Sequence, residues 1–511
     1  MKRVLLIVVD ACSSRVLGPL IDRNRVPTIA RLVARGSLHL NCISIFPSIT
    51  PAATTTIVTG HYPREHGIAG MSWYDDRRGS VAYFGDDIWT VAQRGFGDFL
   101  RGFLARLNDD LLRAPTIFEI VEDRGRTAGS FNHLIFKGRA EHPVNVPWVL
   151  RLLPTVPSTL VVRGPSTLCL GDFVSRRPRR PAPSTEGGVF NRFGMDDDGT
   201  AGFLLDLEGV ASLPDFSVAY FANNDYQSHE KGPGKAAGTL EHVDALLGRV
   251  FDAWGGLDHV LDELSLVVTA DHSQSDVLDD ASAAIQLDEL LDDWRLGDPA
   301  SGWEEADQLM VCPNMRAAEV YLQRPTSVDV QRVARSLLAD ARVDHVMWRT
   351  PADPDDRYRV ATADRGELRF QAKPDGRARD AYGGRWTCAG EAEALDMRVA
   401  ASGEIEYGEY PNALERIAAG IGQEGGLRMW VTARPGYEFE LSGQAPHRGG
   451  GSHGSLHALD SVVPLLVVGA PEGVAVPVAP RLVDVTPLCL QALGLHPDVM
   501  PGASRARALH V

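Results

Sequence analysis

The segment VLLIVV, Val4 to Val9, constrains the fold more than any other stretch of this chain. It is a short, unbroken apolar run rich in β-branched residues, and it ends at the charged Asp10. A run that does not alternate implies a strand buried on both faces, as in a parallel sheet covered by helices. The run is too short for the apolar core of a secretion signal, and a membrane span needs about 18 apolar residues or more. A polar loop and an amphipathic stretch, VPTIARLVARGS, follow it, and Gly36 is expected to stop the helix. The same strand-then-helix rhythm returns at FSVAYFANND (216–225) with GTLEHVDALLGRVFDAW, at LSLVVTADH (264–272), and at SVVPLLVVGAP (461–471) with LVDVTPLCLQALGL. Strands alternating with helices indicate an α/β fold with a central, mostly parallel sheet flanked by helices.

Between these segments the rhythm breaks. The stretch from about 75 to 215 is mixed in character and includes SRRPRRPAPSTEGG, read as a solvated linker. Further on, AAEVYL, HVMWRT, YRVATA and GELRFQA alternate in a way that predicts antiparallel strands. The chain is therefore read as one domain with a core at about 1–75, 215–315 and 440–511, an insertion or cap at about 75–215, and an inserted α+β subdomain at about 315–440. No repeat recurs at a fixed period.

The net charge of −16 excludes a general nucleic-acid or anionic-membrane binder, because the average surface repels phosphates. Bound metal ions can reverse that sign locally. The six cysteines are scattered without a CxxC pair, which reads as reduced thiols and not as a disulfide framework or zinc finger. A cytoplasmic protein with no membrane or nucleic-acid partner is the expectation.

Ligands of an open α/β sheet gather at the carboxyl ends of its strands, so the polar residues there are the informative ones. Asp10 ends the first strand. NNDYQSHEKGP follows the second and spaces Asp225 and His229 at i, i+4, one face of a helical turn. LVVTADHSQSD ends another with Asp271 and His272, and GGGSHGSLH supplies His453 from a glycine-rich loop just before the last strand. Taken singly, each reads as a turn, cap or helix-surface residue. Together, at the ends of predicted parallel strands, three carboxylates and three imidazoles make the mixed N/O ligand set of zinc or a similar divalent ion. Six ligands exceed the needs of one tetrahedral ion but suit two ions with open positions. Two ions about 4 Å apart can clamp the attacking and leaving oxygens of a phosphoryl transfer.

With these motifs in order, the chain resembles the alkaline phosphatase superfamily, in its type I phosphodiesterase/nucleotide pyrophosphatase branch. FPSITPAATTTIVTGHYPREHGI (46–68) matches that branch's nucleophile segment. DYQSHEKGP matches its D-x-x-x-H-x-x-G-P motif, TADHSQSD its T-x-D-H motif, and SHGSL the H-G of its last ligand; DVTPLCLQALGL resembles its closing helix. The resemblance implies an alkaline-phosphatase-like core and a phosphoester hydrolase acting on a small phosphorylated substrate. It implies Thr50 as the nucleophile, counted back from Val58-Thr59-Gly60. It implies one ion held by Asp225, His229 and His453, and a second held by Asp10, Asp271, His272 and the Thr50 oxygen. Zinc is the expected metal, with manganese, iron or magnesium as alternatives.

The branch places an Asn donor after its H-G-I run, and here Met71 stands at that position. A thioether donates no hydrogen bond, so Ser72 or a residue of an insertion is expected to replace it. Other members of the superfamily share the ligands: phosphomonoesterases, phosphonate hydrolases and phosphomutases remain as alternatives, as does a non-catalytic descendant. A sulfatase lacks its C/S-x-P-x-R motif here. His61 and His66 are read as scaffold, while His447 or His457 could support the ligands. Asn223 and Asn224 would orient Asp225 or cap its helix.

Overall fold

The computed structural model describes residues 2–85, 101–146, 159–175, 194–299, 301–349, 357–421, 427–442 and 446–496. Most of the SRRPRRPAPSTEGG linker, from residue 176 on, lies outside them. The architecture is mixed α/β, built on a central, mostly parallel sheet flanked by helices. Its strands are β1 (Arg3–Val9), β2 (Gly36–Ile43), β3 (Ala128–Phe131), β4 (Thr167–Leu170), β5 (Val174–Ser175), β6 (Phe216–Phe221), β7 (Leu264–Thr269) and β8 (Val462–Val468). They lie side by side in the order β2-β8-β7-β1-β6-β3-β4-β5.

The run that ends at Asp10 sits in the middle of this sheet. β1 pairs in parallel with β6 on one side and β7 on the other, and Val4 to Val9 are buried. β6 and β7 are buried throughout as well. The absence of alternation in all three thus reflects helices covering both faces of the sheet.

Two elements differ from the sequence reading. The helix in VPTIARLVARGS spans Pro27–Val33, and Gly36 does not simply end it but opens the edge strand β2. A Cβ at Gly36 would stand 2.4 Å from the Val467 carbonyl oxygen, so close strand pairing explains the glycine. The burial pattern of β8 is that of the parallel strands, yet it runs antiparallel to both β7 and β2. A burial pattern is the same for either direction, so only pairing reveals it. The reversal has a functional effect: the start of β8 lies at the sheet edge where β1, β6 and β7 end.

A second eight-stranded sheet uses residues 309–433, and every pairing in it is antiparallel. AAEVYL, HVMWRT, YRVATA and GELRFQA fall on its strands Ala317–Leu322, Val343–Arg349, Tyr358–Ala361 and Glu367–Ala372. Among the described residues no helix is long and apolar enough to cross a membrane.

Candidate active site

The predicted residues converge on the edge where the parallel strands end. Asp10 leaves β1 with its amide still bonded to the Phe221 carbonyl at the end of β6 (2.9 Å). Helix α1 (Thr50–Thr59) begins at Thr50, with Pro51 in its first turn and Gly60 in the left-handed conformation that closes it (φ 65°). All nine residues from Pro51 to Thr59 are buried. A threonine-rich helix tolerates this because the hydroxyls bond back along the helix: Thr54 to the Thr50 carbonyl, Thr55 to Pro51 and Thr59 to Thr55, at 2.6–2.7 Å. Thr56 is taken by His66 (3.2 Å) and Ser48 by the Ser455 carbonyl (3.0 Å). Thr50 alone in this segment points its hydroxyl at the cluster, 2.8 Å from His272 Nε2.

Helix α2 (Asn223–Lys231) follows β6 directly and carries Asp225 and His229 one turn apart, His229 Nε2 lying 3.4 Å from Asp225 Oδ1. Asp271 and His272 follow β7. His272 Nε2 lies 3.5 Å from Asp10 Oδ1 and 3.6 Å from Asp271 Oδ2. His453 arrives on the loop before β8, 3.7 Å from Asp225 Oδ1, its ring stacked on that of His272 (3.7 Å between centroids, 14°). The glycines ahead of it are required by space: a Cβ at Gly450 would stand 1.8 Å from the His229 carbonyl oxygen, and one at Gly451 2.8 Å from that of Ser228.

The second nitrogens of the histidines set their tautomers. His229 Nδ1 faces the Gly451 carbonyl (2.8 Å), His272 Nδ1 that of Ser273 (3.1 Å) and His453 Nδ1 that of Ser48 (2.7 Å). A carbonyl only accepts, so each Nδ1 carries the hydrogen and each Nε2 presents a lone pair. The carboxylates are similarly aimed. Asp271 Oδ1 accepts from the Ala11 and His272 amides (3.2 and 2.9 Å), and Asp10 Oδ2 accepts from the Tyr220 hydroxyl. The other oxygens, Asp10 Oδ1 and Asp271 Oδ2, are buried, and among the described residues no geometric hydrogen bond reaches them or His453 Nε2.

Leaving such atoms unsatisfied is costly unless something binds them. Burial, then the charges of Asp271 and Asp225, hold the Asp10 carboxyl well above its ordinary pKa. Asp271 is raised as well, chiefly by burial. Burial acts the same way on Asp225, but the adjacent His229, His453 and His272 outweigh it and lower its pKa. Burial and the neighbouring His272 push His453 down, toward the neutral imidazole a metal requires. Two overlapping sets have donor atoms all within 4.8 Å of one another: Asp225, His272 and His453, and Asp10, Asp271 and His272. The donor set therefore fits divalent cations, with His272 between the two groups.

Ser72 sits differently. It lies buried on the short strand Ser72–Asp75, and the Asn314 side chain holds its backbone (3.1 Å to its amide, 2.7 Å to its carbonyl). Among the described residues no hydrogen bond joins its hydroxyl to the cluster. Sequence reasoning missed three supports. Tyr220 donates to Asp10, and Gln274 Nε2 to the Asp225 carboxylate. The guanidinium of Arg316 lies behind the loops that carry His272 and His453. Gln274, two residues beyond His272 in TADHSQSD, is the one with a local signal. Asn224 neither caps α2 nor orients Asp225: its amide donates to the Asp10 carbonyl (2.9 Å). His447 packs against His229 with its ring tilted (4.3 Å between centroids, 33°), and His457 caps a short helix through the Leu459 amide.

The fold is alkaline-phosphatase-like. The structure of murine ectonucleotide pyrophosphatase/phosphodiesterase 5 is similar over 98% of this chain and 96% of its own, with a TM-score of 0.54 and 13% identity. The same murine protein as an inactive threonine-to-alanine variant in complex with AMP matches to the same extent at TM-score 0.55. Phosphonoacetate hydrolase from Sinorhizobium meliloti 1021, in complex with phosphonoformate, covers 96% of both chains with TM-score 0.55 and 19% identity. No curated protein sequence matches. The model of the type I phosphodiesterase/nucleotide pyrophosphatase family matches residues 4–383, and the chain belongs to that family. It is a phosphoester hydrolase of a metallo-phosphoesterase class.

Proposed function

We propose that this chain is a two-metal phosphodiesterase of the nucleotide pyrophosphatase type that works through a phosphorylated Thr50. One observation carries the reading: the only hydroxyl of the Thr-rich segment aimed at the ligand cluster belongs to Thr50, 2.8 Å from His272 Nε2. We assign one ion to Asp225, His229 and His453, and the other to Asp10, Asp271 and His272 with the Thr50 oxygen; zinc suits the mixed donors best. When bound, the ions supply positive charge that lowers the pKa of the Thr50 hydroxyl and offsets charge on the phosphoryl oxygens.

The residues of the chain do the rest. Thr50 is first in α1, so its oxygen stands at the positive end of that helix, which favours a phosphate anion. Its proton departs to solvent and Oγ1 attacks phosphorus. The bond to the leaving oxygen breaks, and the leaving alcohol keeps the electron pair and takes up a proton. Water then attacks the phospho-threonine, the bond from phosphorus to Oγ1 breaks, and Oγ1 is reprotonated. Tyr220 and Gln274 hold Asp10 and Asp225 in orientation throughout.

The solved neighbours carry a nucleotide in one case and a phosphonate in the other, so the choice of substrate is the point to test. Metal analysis of the purified protein should give close to two divalent ions per chain. Bis-p-nitrophenyl phosphate should be hydrolysed faster than p-nitrophenyl phosphate or phosphonoacetate; the reverse order would favour the monoesterase or phosphonate hydrolase reading. Thr50→Ala should lower kcat by about 10³-fold or more. Parent-like turnover in that variant would remove the nucleophile assignment. We further take residues from about 315 to 440 as an inserted subdomain and those from about 75 to 215 as an insertion whose strands β3 to β5 extend the core sheet. None of the six cysteines is in a disulfide, which supports a reducing, cytoplasmic location.

A further inference from the structure

The second sheet reaches the candidate active site through a hairpin turn. Its strands Leu309–Asn314 and Ala317–Leu322 are joined by Met315, at φ 59°, and Arg316. Asn314, ahead of the turn, grips the segment after the H-G-I run, accepting from the Met71 amide (2.7 Å) and bonding both backbone groups of Ser72. Arg316 does more. Its amide donates to the carbonyl of His453 itself (2.9 Å). Its guanidinium, fully buried, donates through Nη1 to Ser275 Oγ and Asp460 Oδ1, and through Nη2 to the Ala433 carbonyl (3.1 Å).

Asp460, equally buried, completes the tie. Its Oδ2 accepts from the Ser455 amide (3.0 Å) and hydroxyl (2.6 Å), its Oδ1 from Ser275 Oγ (2.9 Å), and its carbonyl from the Ser273 amide (2.9 Å). The Arg316–Asp460 pair thus fastens residues 273–275, just beyond His272, to residues 453–455 around His453. The two imidazoles it brackets are stacked, yet each takes its tautomer from a different carbonyl, Ser273 for one and Ser48 for the other. Their relative placement must come from whatever joins the two loops. The short Ser275–Ser452 pairing and the Val277 amide on the Gly450 carbonyl (2.9 Å) are such joins, and the buried ion pair lies nearest both imidazoles' own residues.

A buried ion pair seldom stabilises a fold more than an apolar pair of the same size, because desolvation offsets the attraction. We propose that Arg316 and Asp460 are positioning residues that set the distance between His272 and His453 for divalent-ion binding. This rests on the two-metal reading above. The second sheet is then part of the metal site's supporting shell.

The test is zinc affinity, measured by titrating Zn²⁺ into metal-free protein against a chromophoric chelator. In Arg316→Met/Asp460→Leu, which leaves no buried charge unpaired, zinc affinity should fall by about 10–100-fold while the circular dichroism stays that of the parent. Arg316→Lys, which keeps the charge and loses the fork, should fall in between. Arg428→Met/Glu319→Leu removes a buried pair further along the same sheet and should leave affinity within about twofold of the parent. Parent-like affinity in the Arg316/Asp460 variant, or equal losses in both double variants, overturns the proposal. If the first double variant does not fold, Arg316→Lys must still bind zinc at least about fivefold more weakly for the proposal to stand. A parent that binds no divalent ion overturns the metal reading itself, a result distinct from parent-like affinity in the variants.

Discussion

The two eight-stranded sheets bury charge in opposite ways. In the second sheet each acid noted lies against a base: Glu319 against Arg428 (3.4 Å), and Asp344 against Arg365 with the Tyr410 hydroxyl at 2.8 Å. At the edge of the central sheet three carboxylates crowd among three imidazoles, and among the described residues no hydrogen bond reaches Asp10 Oδ1 or Asp271 Oδ2. The first arrangement satisfies itself and supports architecture. The second is the arrangement that a cation would complete under the two-metal proposal.

That contrast can be broken most directly at Asp271. Asp271→Asn should lower phosphodiester turnover by about 10³-fold or more, because a carboxylate proposed to hold an ion becomes neutral. The metal-free variant should nevertheless melt about 1–3 °C above the metal-free parent, since one of three crowded, buried acids can no longer ionise. A lower melting temperature would mean that the central carboxylates support the fold as those of the second sheet do. The converse change is Arg428→Met, which strands Glu319 without its base. It should cost about 3–5 kcal/mol in denaturant-measured stability, with kcat per folded molecule within about twofold of the parent.

A smaller effect sharpens the same point at Asp197, buried beside α2 with one oxygen accepting from the Asn223 amide (3.0 Å) and the other without a partner. Burial, partly offset by that hydrogen bond, raises its pKa to about 7. The folded state therefore holds this proton more tightly than the unfolded chain between about pH 4 and pH 7. Its contribution to stability is best at the acid end of that window and is lost as pH rises toward 7. Asp197→Asn keeps the acceptor and cannot ionise, so its melting temperature should exceed the parent's by clearly more at pH 8 than at pH 5. An equal gap at both values would exclude Asp197 as the titrating group.

What could be read in the sequence was local. An apolar run ending in Asp10, Asp225 and His229 one helical turn apart, and the adjacent Asp271 and His272 all announce themselves within a few residues. The alternation of residues 317–372 announced antiparallel strands for the same reason. The direction of β8 did not, because VVPLLVV is buried identically whichever way it runs. Tyr220 was hidden inside a strand that reads as core, and its hydroxyl matters only through Asp10, 210 residues away. Arg316 and Asp460 are separated by 144 residues and resemble surface charges until the fold buries them. Nor did the hydroxyls from Ser48 to Thr59 sort themselves: Thr54, Thr55 and Thr59 are distinguished from Thr50 by helix phase and by the carbonyls they meet.

The reversed direction of β8 has a consequence for how such a chain can change over time. β7 leaves the central sheet at the edge that holds the ligands, and β8 re-enters at that same edge, with Thr269 opposite Leu465. The long excursion between them thus begins and ends at neighbouring points. Closing a loop costs little more as it lengthens, since each doubling adds only about 0.6 kcal/mol. Whole modules can therefore be spliced in, enlarged or exchanged there without displacing His272 or His453, provided one turn of the newcomer supplies the grip that Arg316 provides now. The sheet edge is thus a point where the chain can grow while β7 and β8 keep their pairing.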